Sequence, residues 1–179
     1  IGGRVDKDDI RVEAYGTVDE VNCFVGQVMT ELDEVIFKDV LADLEKIQHE
    51  LFDCGGDLAN ISDKVELKLE KEAIDYLEKK IDEYILEAPE LERFILPGGT
   101  KPSASIHIAR TVTRRAERLV VSLMKNDEKT PELALKYLNR LSDYFFALAR
   151  VVNYRLNVKD VEYVRSAKVF RDGKRKDEK

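Results

Sequence analysis

Residues 94–118 read FILPGGTKPSASIHIARTVTRRAER, and the pattern of this stretch decides the fold. A short apolar run ends in Leu96-Pro97-Gly98-Gly99, and Pro102 follows at a position that suits the first turn of a helix. From there to about Lys125, apolar residues recur every three or four positions, which is the spacing of one buried helix face. The predicted core face of this fourth helix consists of Ala109, Val112, Ala116, Leu119, Val120 and Leu123.

The same periodicity predicts four further helices, at about 17–32, 37–60, 67–87 and 130–156. Thr17 and Glu20 form a capping box for the first helix, and Gly55-Gly56 is expected to interrupt the second. With only 9 Gly and 4 Pro in 179 residues, the composition also favours helices. The prediction is an all-α five-helix bundle in one domain over residues 1–170, with a nucleotide-binding segment at its start and a disordered tail at 171–179.

The charge and cysteine content limit the functional classes. The chain carries 30 Lys and Arg against 36 Asp and Glu, a net charge of −6, which disfavours a general nucleic-acid binder. Cys23 and Cys54 are too far apart for a metal motif and too few for a disulfide scaffold, so we expect reduced thiols in a cytoplasmic protein. No apolar run approaches the roughly 20 residues that a membrane span requires.

Against this acidic background, Arg110, Arg114 and Arg118 follow one another at one-turn intervals on the polar side of the fourth helix. Arg115 lies beside the apolar edge. Guanidinium groups bind phosphate oxygens through paired hydrogen bonds, and a step of about 5–6 Å per turn matches a polyphosphate. A carboxylate among them, Glu117, would position the arginines or hold a metal ion. Ordinary surface ion pairs within one helix explain the same pattern equally well.

The polar side of the fourth helix also includes Ser103 and His107, and the fifth helix has a matching polar face. That face consists of Glu132, Lys136, Asn139, Asp143 and Arg150. Antiparallel packing of the two helices would bring these faces together at one cleft. Neither His49 nor His107 has a glutamate three residues before it, so a di-iron carboxylate site is excluded. His107 is expected to be a solvated or capping-region side chain.

Six stretches, taken together, resemble the PduO-type ATP:cob(I)alamin adenosyltransferases. They are GRV with KDD (3–9), EAYGTVDEVN (13–22), FDCGGDLAN (52–60), FILPGG (94–99), HIARTVTRRAER (107–118) and YLNRLSDYFFALAR (137–150). The resemblance implies a ferritin-like five-helix bundle that assembles as a homotrimer, with active sites between subunits. It implies transfer of the 5′-deoxyadenosyl group from ATP to the cobalt of cob(I)alamin, with Mg²⁺, to form adenosylcobalamin and triphosphate.

The resemblance also implies roles for individual residues. The implied ATP contacts are Lys7, Arg114, Arg115, Ala116, Glu117, Arg118 and Asn139. Among these, Lys7, Arg114 and Arg118 would stabilise the leaving triphosphate, and Glu117 is the candidate protein ligand of Mg²⁺. Arg110 would pair with Asp19 across the subunit boundary, and Phe94 would close over the lower face of the corrin. A reductase and an adenosylcobalamin-dependent acceptor enzyme are the implied protein partners.

Two alternatives stay open at this point. The first is a non-enzymatic helical module whose basic face binds a phosphoprotein or an RNA backbone. The second is a corrinoid carrier without catalysis. The resemblance implies a threonine- and glycine-rich phosphate-binding segment just before Gly2-Gly3, and the sequence begins at Ile1 without it.

Overall fold

The computed structural model describes residues 5–60 and 66–165, together with the backbone of residues 170–171 and 174–175. Its helices are α1 (Ile10–Glu31), α2 (Lys38–Ala59), α3 (Lys71–Glu87), α4 (Lys101–Asn126) and α5 (Glu132–Arg155). Strand β1 (Ile95–Leu96) pairs antiparallel with β2 (Val161–Glu162), and β3 (Phe170–Arg171) pairs with β4 (Lys174–Arg175). The predicted all-α five-helix bundle is confirmed. Residues 1–4, and most of the predicted tail at 171–179, lie outside the described residues.

Helix α4 lies between α1 and α5, while α2 packs on α1 and α3 packs on α5. The apolar face predicted for α4 meets the apolar face of α5 in this core, and Leu119 alone of the predicted α4 residues is only partly buried. The buried members are Ala109, Val112, Ala116, Val120, Leu123, Ala134, Leu138, Leu141, Phe145, Leu148 and Val152. No helix among the residues described is both long and apolar enough to cross a membrane.

Helix α1 begins seven residues before the predicted capping box. Asp9 is the N-cap, and its carboxylate accepts a hydrogen bond from the backbone N–H of Arg11 at 2.7 Å. Thr17 therefore lies inside the helix, where its hydroxyl donates to the carbonyl of Glu13 at 2.7 Å. The prediction for Thr17 is wrong because Asp9 is an equally good cap and Ala14 extends the buried face toward it.

The glycines of α1 and α2 do not break their helices, and Gly26 alone lies at a close approach between them. Helix α2 continues through Gly55-Gly56 to Ala59, so the predicted interruption is wrong. A methyl group at Gly55 would make only an ordinary contact with Val18, 3.7 Å away. At Gly26, by contrast, a methyl group would lie 3.3 Å from the amide nitrogen of Gln48, which shows that α2 approaches α1 closely there.

A two-residue strand pair joins the segment before α4 to the segment after α5. The register matches Ile95 with Glu162 and Leu96 with Val161, and the backbone N–H of Tyr163 donates to the carbonyl of Phe94 at 2.7 Å. Periodicity predicts no strand here, because two residues are too few to alternate. The pairing ties Phe94 to the chain that follows α5.

Arg155, the last residue of α5, connects three helices. Its guanidinium donates to both carboxylate oxygens of Asp39 on α2, at 2.7 and 2.9 Å, and to both of Glu87 on α3, at 2.6 and 3.0 Å. This bonding lowers the pKa of Asp39. Because Arg155 is mostly buried and bonded at both edges, its charge-assisted hydrogen bonds have a fixed geometry.

Arg155→Ala should therefore lower the free energy of unfolding by about 2 kcal/mol, because charge-assisted hydrogen bonds between three helices are lost. Urea denaturation measures this change. Lys71→Ala is the control, since its ion pair with Asp75 is exposed and 3.7 Å long. We expect the control to change stability by less than about 0.5 kcal/mol. Equal losses in the two variants would contradict the role given to Arg155.

Candidate active site

Two of the four α4 arginines line one open cleft. Arg114 and Arg118 face solvent one turn apart and, with Glu117, Val121 and Ser122, line a cleft of about 350 Å³. Neither arginine forms an ion pair with the described part of the chain. Two exposed guanidinium groups without carboxylate partners form a site suited to a phosphate chain.

A hydrogen-bonded network from α5 fixes Glu117 at the edge of this cleft. The amide nitrogen of Asn139 donates to Glu117 Oε1 at 2.8 Å, and Arg140 Nη2 donates to Asn139 Oδ1 at 2.9 Å. Arg140 also pairs with Asp143 at 3.4 Å. The structure thus brings together Arg114, Glu117, Arg118 and Asn139, as the antiparallel packing of the two polar faces predicts.

Asp143 belongs to the same cluster, although the family resemblance implies no role for it. Burial raises the pKa of its carboxyl group and the charge of Glu117 adds to this, while Arg140 and Arg114 oppose it. The sequence pattern can predict Asp143 at this site, because it lies one turn after Asn139 on the predicted polar face. The sequence pattern does not predict the hydrogen bond from Arg140 to Asn139, because Arg140 lies off that face.

The other predicted α4 residues have different surroundings. Arg115 forms an ion pair with Glu20 on α1, so within one chain its guanidinium is engaged by a carboxylate. The methyl group of Ala116 is fully buried in the core and points away from the cleft. The structure therefore does not bring the side chains of Arg115 and Ala116 into the cleft, and their ATP contacts stay predictions.

His107 is buried, which corrects the expectation of a solvated side chain. Only 4% of it is exposed, and its ring packs edge-on against Phe146, with centroids 6.3 Å apart. Its Nδ1 accepts a hydrogen bond from Arg110 Nε at 3.2 Å. Burial, helped by the charge of Arg110 and opposed by Asp160, lowers the pKa of His107 to about 4. The ring is therefore neutral at pH 7.

Two further residues of the predicted polar faces are also buried. The hydroxyl of Ser103 donates to the carbonyl of Ala149 at 2.9 Å, and Arg150 bonds to Asp160 at 3.0 Å. Both predictions of a polar surface are wrong, because Ser103 is covered by α5, whereas Arg150 is covered by the segments that contain Pro89 and Asp160. The open cleft is confined to the region of Arg114 and Arg118.

Comparison with known proteins identifies the family. The family model described as cobalamin adenosyltransferase matches residues 1–152. The chain belongs to the cobalamin adenosyltransferase family. The corrinoid adenosyltransferase of Bacillus subtilis (strain 168) is 60% identical over 173 residues, which is 96% of this chain and 89% of that relative. The cobalamin adenosyltransferase of Cupriavidus metallidurans is 47% identical over 152 residues, with 85% and 79% covered.

Solved structures agree with this assignment. A phenylalanine-to-histidine variant of a PduO-type ATP:corrinoid adenosyltransferase from Lactobacillus reuteri, complexed with cobalamin and ATP, has a TM-score of 0.87 and is 43% identical. The match covers 93% of this chain and 90% of that one. An arginine-to-lysine variant from the same organism, complexed with ATP, has a TM-score of 0.86 at 44% identity, with 91% and 92% covered.

In this member of the adenosyltransferase family, Lys7 precedes α1 and lies toward the C-terminal end of α4. Helices α1 and α4 run antiparallel, because Gln27 donates to Ser105 at 3.2 Å while Arg11 pairs with Asp127 just beyond the C-terminal end of α4. Lys7 precedes Arg11 and so lies toward that end. At 1.5 Å per residue, Asp127 is about 20 Å along the helix from Arg114. Lys7 itself is exposed in the segment before α1.

Asp19 and Arg110 are likewise not paired within one chain. Asp19 is exposed on α1 and has no ion-pair partner among the described residues. Arg110 is half-buried, bonds to His107, and has no carboxylate partner in the described part of the chain. Each charge thus lacks the opposite charge that the predicted intersubunit pair would supply.

The titration of His107 should be visible in the pH dependence of stability. Its pKa is lowered from 6.5 to about 4 in the folded chain, so between these values the unfolded chain binds the proton more strongly. The contribution of His107 to the free energy of unfolding is therefore fully present above pH 6.5 and is lost on acidification. By pH 5.5 the loss from this residue is about 1 kcal/mol.

Urea denaturation at pH 7.5 and 5.5 measures this contribution. His107→Gln should reduce the fall in unfolding free energy between the two pH values, whereas His49→Gln, at an exposed position, should leave it unchanged. The same pH dependence in His107→Gln and in the parent chain would contradict the assignment of a low pKa to His107.

Proposed function

We propose that the chain transfers the 5′-deoxyadenosyl group of ATP to the cobalt of cob(I)alamin, releasing triphosphate, at sites shared between the subunits of a homotrimer. The observation that carries this proposal is the cleft with Arg114 and Arg118, which form no ion pair with any described residue. Glu117 lies beside them and is held by a hydrogen bond from Asn139. The family match and the relatives bound to cobalamin and ATP support the same reaction.

The reaction places its main electrostatic demand on the triphosphate. The cobalt electron pair of cob(I)alamin attacks the ribose C5′, a Co–C bond forms, and the C5′–O bond breaks with its electrons leaving on the triphosphate. Because the cobalt is the nucleophile, no Ser, Cys or His nucleophile is required. Arg114, Arg118 and Lys7 stabilise the charge that develops on the leaving group, and alignment of the two substrates supplies much of the remaining acceleration.

Glu117 is the residue through which the chain would contact a magnesium ion bound to ATP. The described residues contain no cluster of three or more metal-ligating side chains, so the cleft offers single carboxylates rather than a complete cage. Mg²⁺ commonly uses one or two carboxylates together with substrate phosphates, and this donor set therefore fits it. When bound, the ion would neutralise phosphate charge. Glu117 Oε1 accepts a hydrogen bond from Asn139, and this bond fixes the orientation of the carboxylate.

The position of Lys7 supports a site made from two subunits. Lys7 lies toward the C-terminal end of α4 in its own chain, and we infer that the triphosphate at Arg114 receives Lys7 from a neighbouring copy. Asp19 and Arg110, which have no ion-pair partner among the described residues, would complete an ion pair in the same assembly. We infer a homotrimer from the family resemblance, and we place the reaction in the cytoplasm, where ATP and reduced corrinoid are supplied. A reductase would act before this reaction, and an adenosylcobalamin-dependent enzyme would accept its product.

Phe94 is the residue proposed to contact the corrin. Its ring is 44% exposed at the start of the segment that leads into α4, although its carbonyl is bonded to the chain after α5. An exposed aromatic ring on a fixed backbone suits contact with a flat ligand. Against the lower face of the corrin, the ring would keep water and the cofactor's own base away from the cobalt, and this eases reduction to Co(I).

The proposed reaction is tested by incubating the chain with ATP, Mg²⁺ and chemically reduced cobalamin and following the corrin spectrum. We expect a Co–C product, and we expect Arg114→Ala to lower kcat by about 100-fold or more with the assembly intact. Lys136→Ala is the control, since its only described ion pair is with Glu132 at 2.9 Å. Absence of product from the parent chain would contradict the reaction, and normal turnover of Arg114→Ala would exclude that residue from the site.

Phe94→Ala should impair corrinoid reduction more than ATP binding, because the ring is proposed to act on the cobalt and not on the phosphates. Leu96→Ala provides a matched control, since Leu96 is an apolar residue of similar exposure in the adjoining strand. ATP affinity and the rate of corrinoid reduction are measured separately for both variants. Equal losses of the two properties in Phe94→Ala would mean that the residue is structural.

A further inference from the structure

The loop that connects Phe94 to α4 has an unusual backbone. Gly98 and Gly99 both have positive φ angles, +148° and +99°, which residues with side chains rarely adopt. A Cβ at Gly99 would lie 2.7 Å from Asn153 Cγ, which is too close for any side chain. The loop is therefore shaped by contact with one residue of α5, Asn153.

Every hydrogen-bonding position of the Asn153 amide is used. Its Oδ1 accepts from both the backbone N–H and the hydroxyl of Thr100, each at 2.9 Å. Its Nδ2 donates to the carbonyl of Gly98 at 3.0 Å and to Asp160 Oδ1 at 3.1 Å. An amide offers two acceptor and two donor positions, so Asn153 is fully satisfied. It is also only 2% exposed.

Asp160 and Arg150 fix the orientation of that amide. Asp160 accepts from Asn153 through one oxygen and from Arg150 Nε through the other, at 3.0 Å, and Arg150 also donates to the carbonyl of Pro89. Rotation of the amide by half a turn would place its oxygen against the Asp160 carboxylate and the Gly98 carbonyl. Only an asparagine in the observed orientation fits this arrangement. We call Asn153, Asp160 and Arg150 the Asn153 cluster.

The Asn153 cluster and β2 together hold the Phe94 segment at two places. Asn153 binds residues 98–100, and β2, which begins directly after Asp160, pairs with residues 95–96. The backbone N–H of Tyr163 binds the carbonyl of Phe94 itself. The exposed Phe94 ring therefore projects from a backbone whose position depends on one buried amide about 60 residues later in the chain.

We propose that Asn153 is a positioning residue for Phe94, which it places at the corrin through residues 98–100, with Asp160 and Arg150 fixing its amide. This inference rests on the proposed function, because it takes Phe94 as the corrin contact. The consequence is specific. Loosening the loop should change the corrinoid half of the reaction and leave the ATP half unchanged, since Arg114, Glu117 and Arg118 lie on a different part of α4.

Asn153→Asp tests the inference, because it preserves the shape but replaces the donating nitrogen with an oxygen facing Asp160 and Gly98. We expect kcat/KM for the corrinoid to fall about tenfold or more, with KM for ATP within about twofold of the parent value. Electron paramagnetic resonance of bound cob(II)alamin with ATP should show less cobalt without a lower ligand. Asn126→Asp, an exposed residue at the end of α4, controls for the added charge.

Two further measurements keep the inference falsifiable if Asn153→Asp folds poorly. Asp160→Asn removes the charge that orients the amide and should give a smaller loss of the same kind. Amide hydrogen exchange of residues 94–100 should accelerate in both variants, whether or not the chain is active. Unchanged exchange, or equal losses toward ATP and corrinoid, would overturn the inference.

The outcomes also separate this inference from the proposed function. An active parent chain, a corrinoid-specific defect in Phe94→Ala and no defect in Asn153→Asp would reject the positioning role and keep the reaction. Absence of a Co–C product from the parent chain would reject the reaction. In that case the exchange measurement alone decides whether Asn153 controls the Phe94 loop.

Discussion

The burial of α4 between α1 and α5 is the constraint on which the rest of the structure depends. Residues such as Ala109, Ala116 and Val120 must face the core, and this orients every other position of the helix. Arg114 and Arg118 are consequently directed outward, toward an open cleft. Burying two arginines without partners would cost far more than the packing supplies, so the apolar face and the basic cleft are two results of one helix orientation.

The polar groups inside the bundle have a second role, which is to fix the segments that face substrate. His107 is neutral and accepts from Arg110, while Asn153 uses its whole amide on the loop after Phe94. His107 thus supports Arg110, the proposed partner of Asp19 across the subunit boundary, and Asn153 supports the segment that carries the proposed corrin contact. The same helices thus carry an outward site for phosphate and an inward network that positions the proposed corrin contact.

Much of the fold follows from local sequence pattern, and the failures have a common physical cause. The spacing of apolar residues predicts α4, α5 and their core faces, and the polar faces predict that Glu117 and Asn139 meet. Burial of His107 and Arg150 was not predictable, because it depends on which neighbour covers them. The β1–β2 pair joins residues far apart in sequence, so local pattern does not predict it. No sequence motif distinguishes Asn153. The functional assignment came from the family resemblance, since arginine spacing alone fits surface ion pairs equally well.

In the proposed assembly, one active site is built from two chains, with Arg114 from one and Lys7 from its neighbour. The most direct measurement mixes two variants, Arg114→Ala and Lys7→Ala, each inactive alone, and assays the reassembled oligomers. Random assembly should restore about one quarter of the parent rate, because some subunit boundaries then combine an intact Lys7 with an intact Arg114. A mixture no more active than its two components would contradict the shared site.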